Sequence, residues 1–412
     1  MNKLKILVSS YTCSPYRGSE PGVGWKFVIG LSDFHEVHVI VEKEKWEFEI
    51  REYLKENTHL NENLKFYFIT KKRNKKLRKL WPPSYYWFYK IWQQEAFKLA
   101  IELNKKEKFD LAHQLTMVGF REPGYLWKLH LPFVWGPIGG LEITPWRFLP
   151  SIGLKGFIHF TGRNLINIFQ KKFLSRPKSA ATRDNNCLIA ATPSNRDEIF
   201  KLWKKNSVVI SEVGQIGHLD IELSTRKEGS IKIIWSAIHE PRKNLGLLLR
   251  ALAAIDISWE LHVLGEGSES AKWKKLSKKL GISDKCVWYG WIEMKESFEI
   301  LKKGHLFCIT SLHDLTSTVT LEALSFGLPI ICLDHCGFSE VVDTTCGIKI
   351  TLTTPKKVIQ DFSNAIEKLY RDEKLRFQLS KGAIKRANNF SWDKKIKKLN
   401  KIYFSLLKAQ KK

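Results

Sequence analysis

Two segments of this chain begin alike, and that repetition limits its fold more than any other feature. LKILVSS (Leu4 to Ser10) is a short β-rich apolar run, followed by the glycine-bearing RGSEPGVGW and the helix-period WKFVIGL. IKIIWSA (Ile231 to Ala237) is followed in the same way by HEPRKN and LGLLLRALAAI. Each leads to another buried-strand candidate, Val37–Val41 in the first half and Trp259–Leu264 in the second. Continuous apolar strands alternating with helices predict parallel sheets covered on both faces. Two such starts in 412 residues predict two doubly wound α/β domains.

Further strands are expected at Leu64–Ile69, Asp110–His113, Phe133–Trp135, Cys187–Ala191 and Val208–Ile210. In the second half they fall at Val287–Tyr289, Leu306–Thr310, Pro329–Cys332 and Ile348–Ile350. The polar stretch Leu223–Ser230 is the expected linker, dividing the chain into domains at 1–222 and 223–390. The final SWDKKIKKLNKIYFSLLK sets Ile396, Leu399, Ile402, Tyr403, Leu406 and Leu407 at helical spacing, with Ser391 as N-cap. That stripe must be buried, either on the second domain or, as expected here for residues 391–408, back on the first.

Apolar residues make up 43% of the chain, which excludes disordered and collagen-like classes. The seven cysteines are odd in number, lack a CxxC pair and sit in runs such as HLFCIT and PIICL, as small buried hydrophobes do in a reducing cytoplasm. MNKLKILVSSYTCSP carries too short an apolar run for a signal-peptide core, and no stretch approaches the ~18 apolar residues of a spanning helix. A soluble or peripheral cytoplasmic protein is expected.

The net charge of +26 calls for an anionic partner or a solvated lysine surface. KKRNKKLRK (Lys71 to Lys79) runs into LWPPSYYWFYKIW, where Trp81, Tyr85, Tyr86, Trp87, Phe88, Tyr89 and Trp92 crowd together. Lys and Arg beside Trp and Tyr suit an anionic membrane surface, so residues 71–92 are expected to meet one at the inner face of the plasma membrane. Stacking on single-stranded nucleic acid is the weaker reading. The basic-apolar LKGFIHFTGRNLINIFQKKFLSRPK adds to the same character.

The most informative window is SLHDLTSTVTLEALSFGLPIICLDHCGFSEVV, residues 311–342. Asp314 lies on a loop and Glu322 eight residues later on a helix, with Leu315, Thr316, Ser317 and Thr318 between them at the helix start. Backbone N–H groups there suit a phosphate, and a carboxylate deeper on the element suits a ribose diol. Two acids separated by seven residues, then Ala, a small residue, Gly and Pro, resemble the retaining glycosyltransferases of family 4, with Asp314 in place of the more usual Glu. IIWSAIHEPRKNLGLLLRAL resembles the family's first donor-domain strand–loop–helix, and LHVLGEGSE and VWYGWIE its next two strand ends. RANNFSWDKKIKKLNKIY is similar to its closing helix, and GSEPGVGW and DLAHQLTMVGFREPGYLWKLHLPFVWGPIGG to acceptor-domain segments.

The resemblance implies a GT-B fold, two Rossmann-like domains facing across a cleft. It implies transfer of a sugar, with retention, from a nucleotide-sugar substrate to a glycan or lipid-linked acceptor in building a bacterial surface glycan. Lys243, Asp314 and His113 are the implied catalytic groups. Arg242, Gly265, Glu266, Tyr289, Gly290, Trp291, Thr316, Ser317, Thr318 and Glu322 are the implied donor-binding set, and Gly18, Glu20 and Gly22 the acceptor or phosphate loop. No cofactor is implied, and without Asp-x-Asp or a His/Cys cluster at metal spacing no metal site is expected. Two further positions depart from the family pattern. Ala237 stands where an Arg is usual, six residues before Lys243, and WGPIGG has no His, leaving His113 as the nearest substitute.

Two rival readings remain. Gly22-Val23-Gly24 after a strand, with Glu42 ending the next, could belong to a nicotinamide dehydrogenase, but the third glycine falls at Phe27, whose ring blocks close helix–strand packing. A catalytically inactive GT-B-like protein binding membrane lipid or nucleic acid is the non-enzymatic alternative, with Ala237 in its favour.

Overall fold

A computed structural model describes residues 3–215, 223 and 229–410. The first lobe holds β1 (Lys5–Ser9), β2 (Glu36–Glu42), β3 (Leu64–Ile69), β4 (Leu111–Gln114), β5 (Phe133–Ile138), β6 (Asn186–Ala190) and β7 (Ser207–Val209). The second holds β8 (Ile231–Ser236), β9 (Trp259–Leu264), β10 (Cys286–Gly290), β11 (Leu306–Ile309), β12 (Ile330–Leu333) and β13 (Gly347–Ile350). Each expected strand is there, because runs such as KILVS, LFCI and IICL are apolar on both sides and stay buried only with helices on both faces.

The sheets are parallel, in the orders β3-β2-β1-β4-β5-β6-β7 and β10-β9-β8-β11-β12-β13. Ile6 pairs with Val37 on one side and Leu111 on the other, and Ile233 likewise lies between Leu261 and Leu306. Strand order therefore reverses beside β1 and beside β8. Ligands of doubly wound sheets bind outside the carboxyl ends of the strands at such points. All seven cysteines carry free thiols, six of them buried.

The helix Trp392–Gln410 lies against the first-lobe helix Ser19–Ser32, with the Ser391 hydroxyl accepting from the Lys394 amide at 3.4 Å. Ile396, Leu399 and Tyr403 are buried there. The approach is so close that a Cβ on Gly30 would stand 2.6 Å from Ile396 Cγ1. The expected linker, Leu223–Ser230, lies mostly outside the described residues.

Candidate active site

A cavity of about 720 Å³ lies between the lobes, over the reversal points of the two sheets. The loop after β8 enters it as a 3₁₀ turn, Pro241–Lys243, and leaves through Asn244 in left-handed conformation (φ 43°), which Asn tolerates better than most residues. The turn is tied to the end of β11. Thr310 Oγ1 donates to the Lys243 carbonyl at 2.7 Å, and the Leu312 amide to the Arg242 carbonyl at 2.8 Å. These bonds place both cations beside Asp314. The Lys243 ammonium is ion-paired with Asp314, and Arg242 Nη1 lies 3.4 Å from Asp314 Oδ2 while donating to the His313 carbonyl at 2.8 Å. Burial alone would raise the Asp314 pKa, but Lys243 and Arg242 outweigh it and hold the carboxyl below its ordinary range.

Glu322 lines the same cavity from the helix Thr318–Ser325. Its carboxyl group has no ion-pair or hydrogen-bond partner among the described residues, and burial lifts its pKa to about 7. Ser317 and Thr318 also line the cavity, their amides unpartnered among the described residues. Thr316 is different. Its amide and hydroxyl both donate to Glu212, at 2.8 Å and 3.2 Å, so that N–H is not offered to a ligand. Glu212 is the main residue that the sequence reading missed. An acid closing the β7 segment offered no motif, and its partner lies 104 residues away.

The remaining expected residues divide. Gly265 and Trp291 line the cavity. Gly265 has φ 101° and a Cβ there would stand 2.1 Å from the Ala237 carbonyl, so the β9 turn presses on the site of the missing arginine. Gly290 backs it, its carbonyl accepting from the Gly265 amide at 2.9 Å. Tyr289 points elsewhere, bonded to His262 at 2.9 Å in a separate pocket, and the Glu266 side chain is exposed and off the cavity wall. Glu20 lines the cavity and accepts from the Val118 amide at 3.0 Å, its pKa raised by burial. Gly18 caps the helix Ser19–Ser32 and Gly22 lies within it, so this stretch is a helix start rather than a free loop.

His113 is not in the cavity. Its ring is fully buried on β4, with Nδ1 2.6 Å from the Tyr403 hydroxyl and Nε2 2.8 Å from the Gly136 carbonyl. Burial pushes its pKa down to about 4, so it is a neutral core histidine that ties β4 to the terminal helix. Among the described residues two groups could hold a metal ion, Glu142 with His335 and Cys336, and Glu36 with His38 and Glu107; no member of either lines the cavity.

Residues 220–386 match the family profile of the glycosyl transferases group 1. The second lobe belongs to that family. With two Rossmann-like lobes around a cleft, the chain has the GT-B fold. A lipopolysaccharide 1,6-galactosyltransferase of Escherichia coli (strain K12) is 35% identical over 97 residues, covering 23% of this chain and 27% of that protein. The enzyme of the same description from Salmonella typhimurium is 28% identical over 172 residues, covering 41% of this chain and 46% of the relative. The chain thus matches between about a quarter and about half of these relatives' length. The crystal structure of a glycosyltransferase from Rickettsia africae ESF-5 superposes with a TM-score of 0.66 at 15% identity, over 99% of this chain and 100% of that one.

Proposed function

We propose that this glycosyltransferase moves a sugar from a nucleotide-sugar to a glycan or lipid-linked acceptor, with retention and without a metal, in the synthesis of a bacterial surface polysaccharide. The observation that carries the reading is the convergence of Lys243, Arg242, Asp314 and Glu322 on one cavity between the lobes. When the glycosyl–phosphate bond breaks, negative charge grows on the leaving diphosphate. Lys243 and Arg242 are already fixed beside that position by Asp314 and the Thr310 bond, so no reorganisation is needed as the charge appears. The unpartnered Ser317 and Thr318 amides add donors at the same end. Glu322, unpartnered and deeper, accepts from the ribose hydroxyls. The donor domain is taken as 223–390 and the acceptor domain as 1–222 with the terminal helix on it. The galactosyltransferase relatives support a surface-glycan acceptor by likeness.

The test is release of nucleoside diphosphate when a panel of nucleotide-sugars is offered with lipid-linked and glycan acceptors. Release that disappears in Lys243→Ala supports the reading. Binding of nucleotide without release in any pairing supports the inactive-scaffold alternative instead.

The reading includes attachment to an anionic membrane at the inner face of the plasma membrane. Leu80, Trp81, Tyr86 and Trp87 are exposed, as are Ile158, Ile166 and Phe169 on the helix Gly153–Phe173. No acidic residue occurs between Glu62 and Glu95 or between Glu142 and Asp184. The aromatic run is not uniform, since Tyr89 and Trp92 turn into the core and leave the first part of the segment to face outward. No helix among the described residues is long and apolar enough to cross a membrane.

A further inference from the structure

Away from the interlobe cleft, the first lobe contains a second cavity of about 150 Å³ near the carboxyl ends of β1, β2 and β3. Lys45, Lys71, Arg73, Lys75 and Arg78 line it, together with Ser84. Of the five cations, Arg73 is ion-paired, with Glu42. The other four have no salt bridge among the described residues, although Glu44 lies close enough to accept from the Lys71 amide at 3.1 Å. Lys71 is almost wholly buried at the cavity wall. Its ammonium stands 3.7 Å from the Tyr85 ring centroid and 4.9 Å from that of Tyr11, and donates to Tyr11 Oη at 2.9 Å. Ring faces offset part of the cost of burying an ammonium, but they are weaker partners than an anion. Ser84 is fully buried at the same wall, and its hydroxyl has no hydrogen-bond partner among the described residues.

Four cations without an ion-pair partner among the described residues, one of them buried, meet a buried hydroxyl without a hydrogen-bond partner there on one cavity. We propose that this cavity binds a phosphate group carrying more than one negative charge, a phosphomonoester or a diphosphate. A single carboxylate would leave most of the cations unmatched, whereas a phosphate's several oxygens can take Lys71, Arg78 and Ser84 at once. The burial and the neighbouring Lys45 and Arg78 push the Lys71 pKa down to about 8, and an anion in the cavity reverses the repulsion. The assignment goes beyond the membrane reading, which needs only surface charge, and stands whether or not the cleft transfers sugar.

The test is calorimetric titration of the full chain with inorganic pyrophosphate. Ser84→Ala removes one donor and no charge, and a hydrogen bond to a charged group makes its loss roughly tenfold or more in affinity. Because its hydroxyl is unpartnered, the substitution leaves folding intact. Arg78→Gln should weaken the same binding, and Lys243→Gln, in the cleft, should leave it in place. A second arm compares vesicles of neutral lipid doped with phosphatidic acid, a phosphomonoester, or with phosphatidylglycerol at matched surface charge. A preference for phosphatidic acid that Ser84→Ala abolishes identifies a lipid headgroup as the source. Pyrophosphate binding with no such preference identifies a soluble phosphate. The proposal is overturned if pyrophosphate affinity is unchanged in both Ser84→Ala and Arg78→Gln, if it is lost only in Lys243→Gln, or if no pyrophosphate binds and the two lipids behave alike. That last result would leave membrane attachment by diffuse charge standing.

Discussion

Lys243 and Glu322 face one cavity with opposite electrostatic situations, and their loss should read differently in kinetics. In the proposed reaction Lys243 meets charge that appears only as the diphosphate leaves, so Lys243→Ala should lower turnover by roughly 10²–10³-fold, the usual cost of losing one preorganised stabiliser. Asp314→Ala should follow it, since Asp314 holds that ammonium in place. In the proposed reading Glu322 holds a ribose that changes little during reaction, so Glu322→Ala should chiefly weaken nucleotide binding. Saturation kinetics with nucleoside diphosphate binding on the three variants separates the cases. Near-normal turnover in Lys243→Ala would move the phosphate clamp to Arg242. Glu322 also carries a pH signature. Burial raises its pKa from the ordinary 4.5 to about 7, so the folded chain binds this proton more tightly than the unfolded one. Its contribution to stability is full below pH 4.5 and is lost as pH rises through about 7. Nucleotide binding should run the other way and strengthen through about pH 7, because ribose hydroxyls donate to the ionised carboxylate. Glu322→Gln should flatten both slopes, and melting curves and titrations across that window check it.

Among the elements, the contact of the terminal helix with Ser19–Ser32 depends on the absence of a side chain at Gly30. Gly30→Val sets a branched Cβ against Ile396 and should destabilise the chain by about 1–3 kcal/mol, the usual cost of overpacking. Denaturant unfolding measures it, and Ile396→Ala in the same chain should recover part of the loss by making room. What the sequence made legible follows from how local its signals are. The strands could be read because most are apolar runs, while Lys243, Asp314 and Glu322 were singled out by the resemblance to the family, on loops and a helix start that follow strand ends. His113 could not be placed that way. A histidine ending an apolar strand reads the same whether it faces a cleft or a buried tyrosine, and Tyr403 lies 290 residues away. Glu212 was hidden for the same reason. Thr316 looked like an open amide at a helix start until the partner from the other lobe took it.

For the molecule as a whole, the basic run Lys71 to Lys79 and most of the exposed large apolar side chains lie on the first lobe, while most residues of the proposed donor site lie on the second. An anionic membrane binding that lobe would bring a lipid-linked acceptor to the cleft from one side and leave the other free for soluble donor. Lys72, Lys76 and Lys79 are exposed and belong to neither cavity, so they report attachment alone. Each cation near such a surface contributes about 1 kcal/mol, so changing all three to Gln should weaken vesicle binding roughly 100-fold. Co-sedimentation should fall as salt rises, because the Debye length shrinks to about 3 Å at 1 M. The apolar part is separable. Ile158→Ser with Phe169→Ser on the helix Gly153–Phe173 removes exposed apolar area and no charge. It should leave the salt dependence intact while reducing the binding that survives at high salt. Equal binding to neutral and anionic vesicles, unchanged in the triple Gln variant, would exclude charge as the attachment force. Binding unchanged in both variants would move the attachment to another face of the molecule.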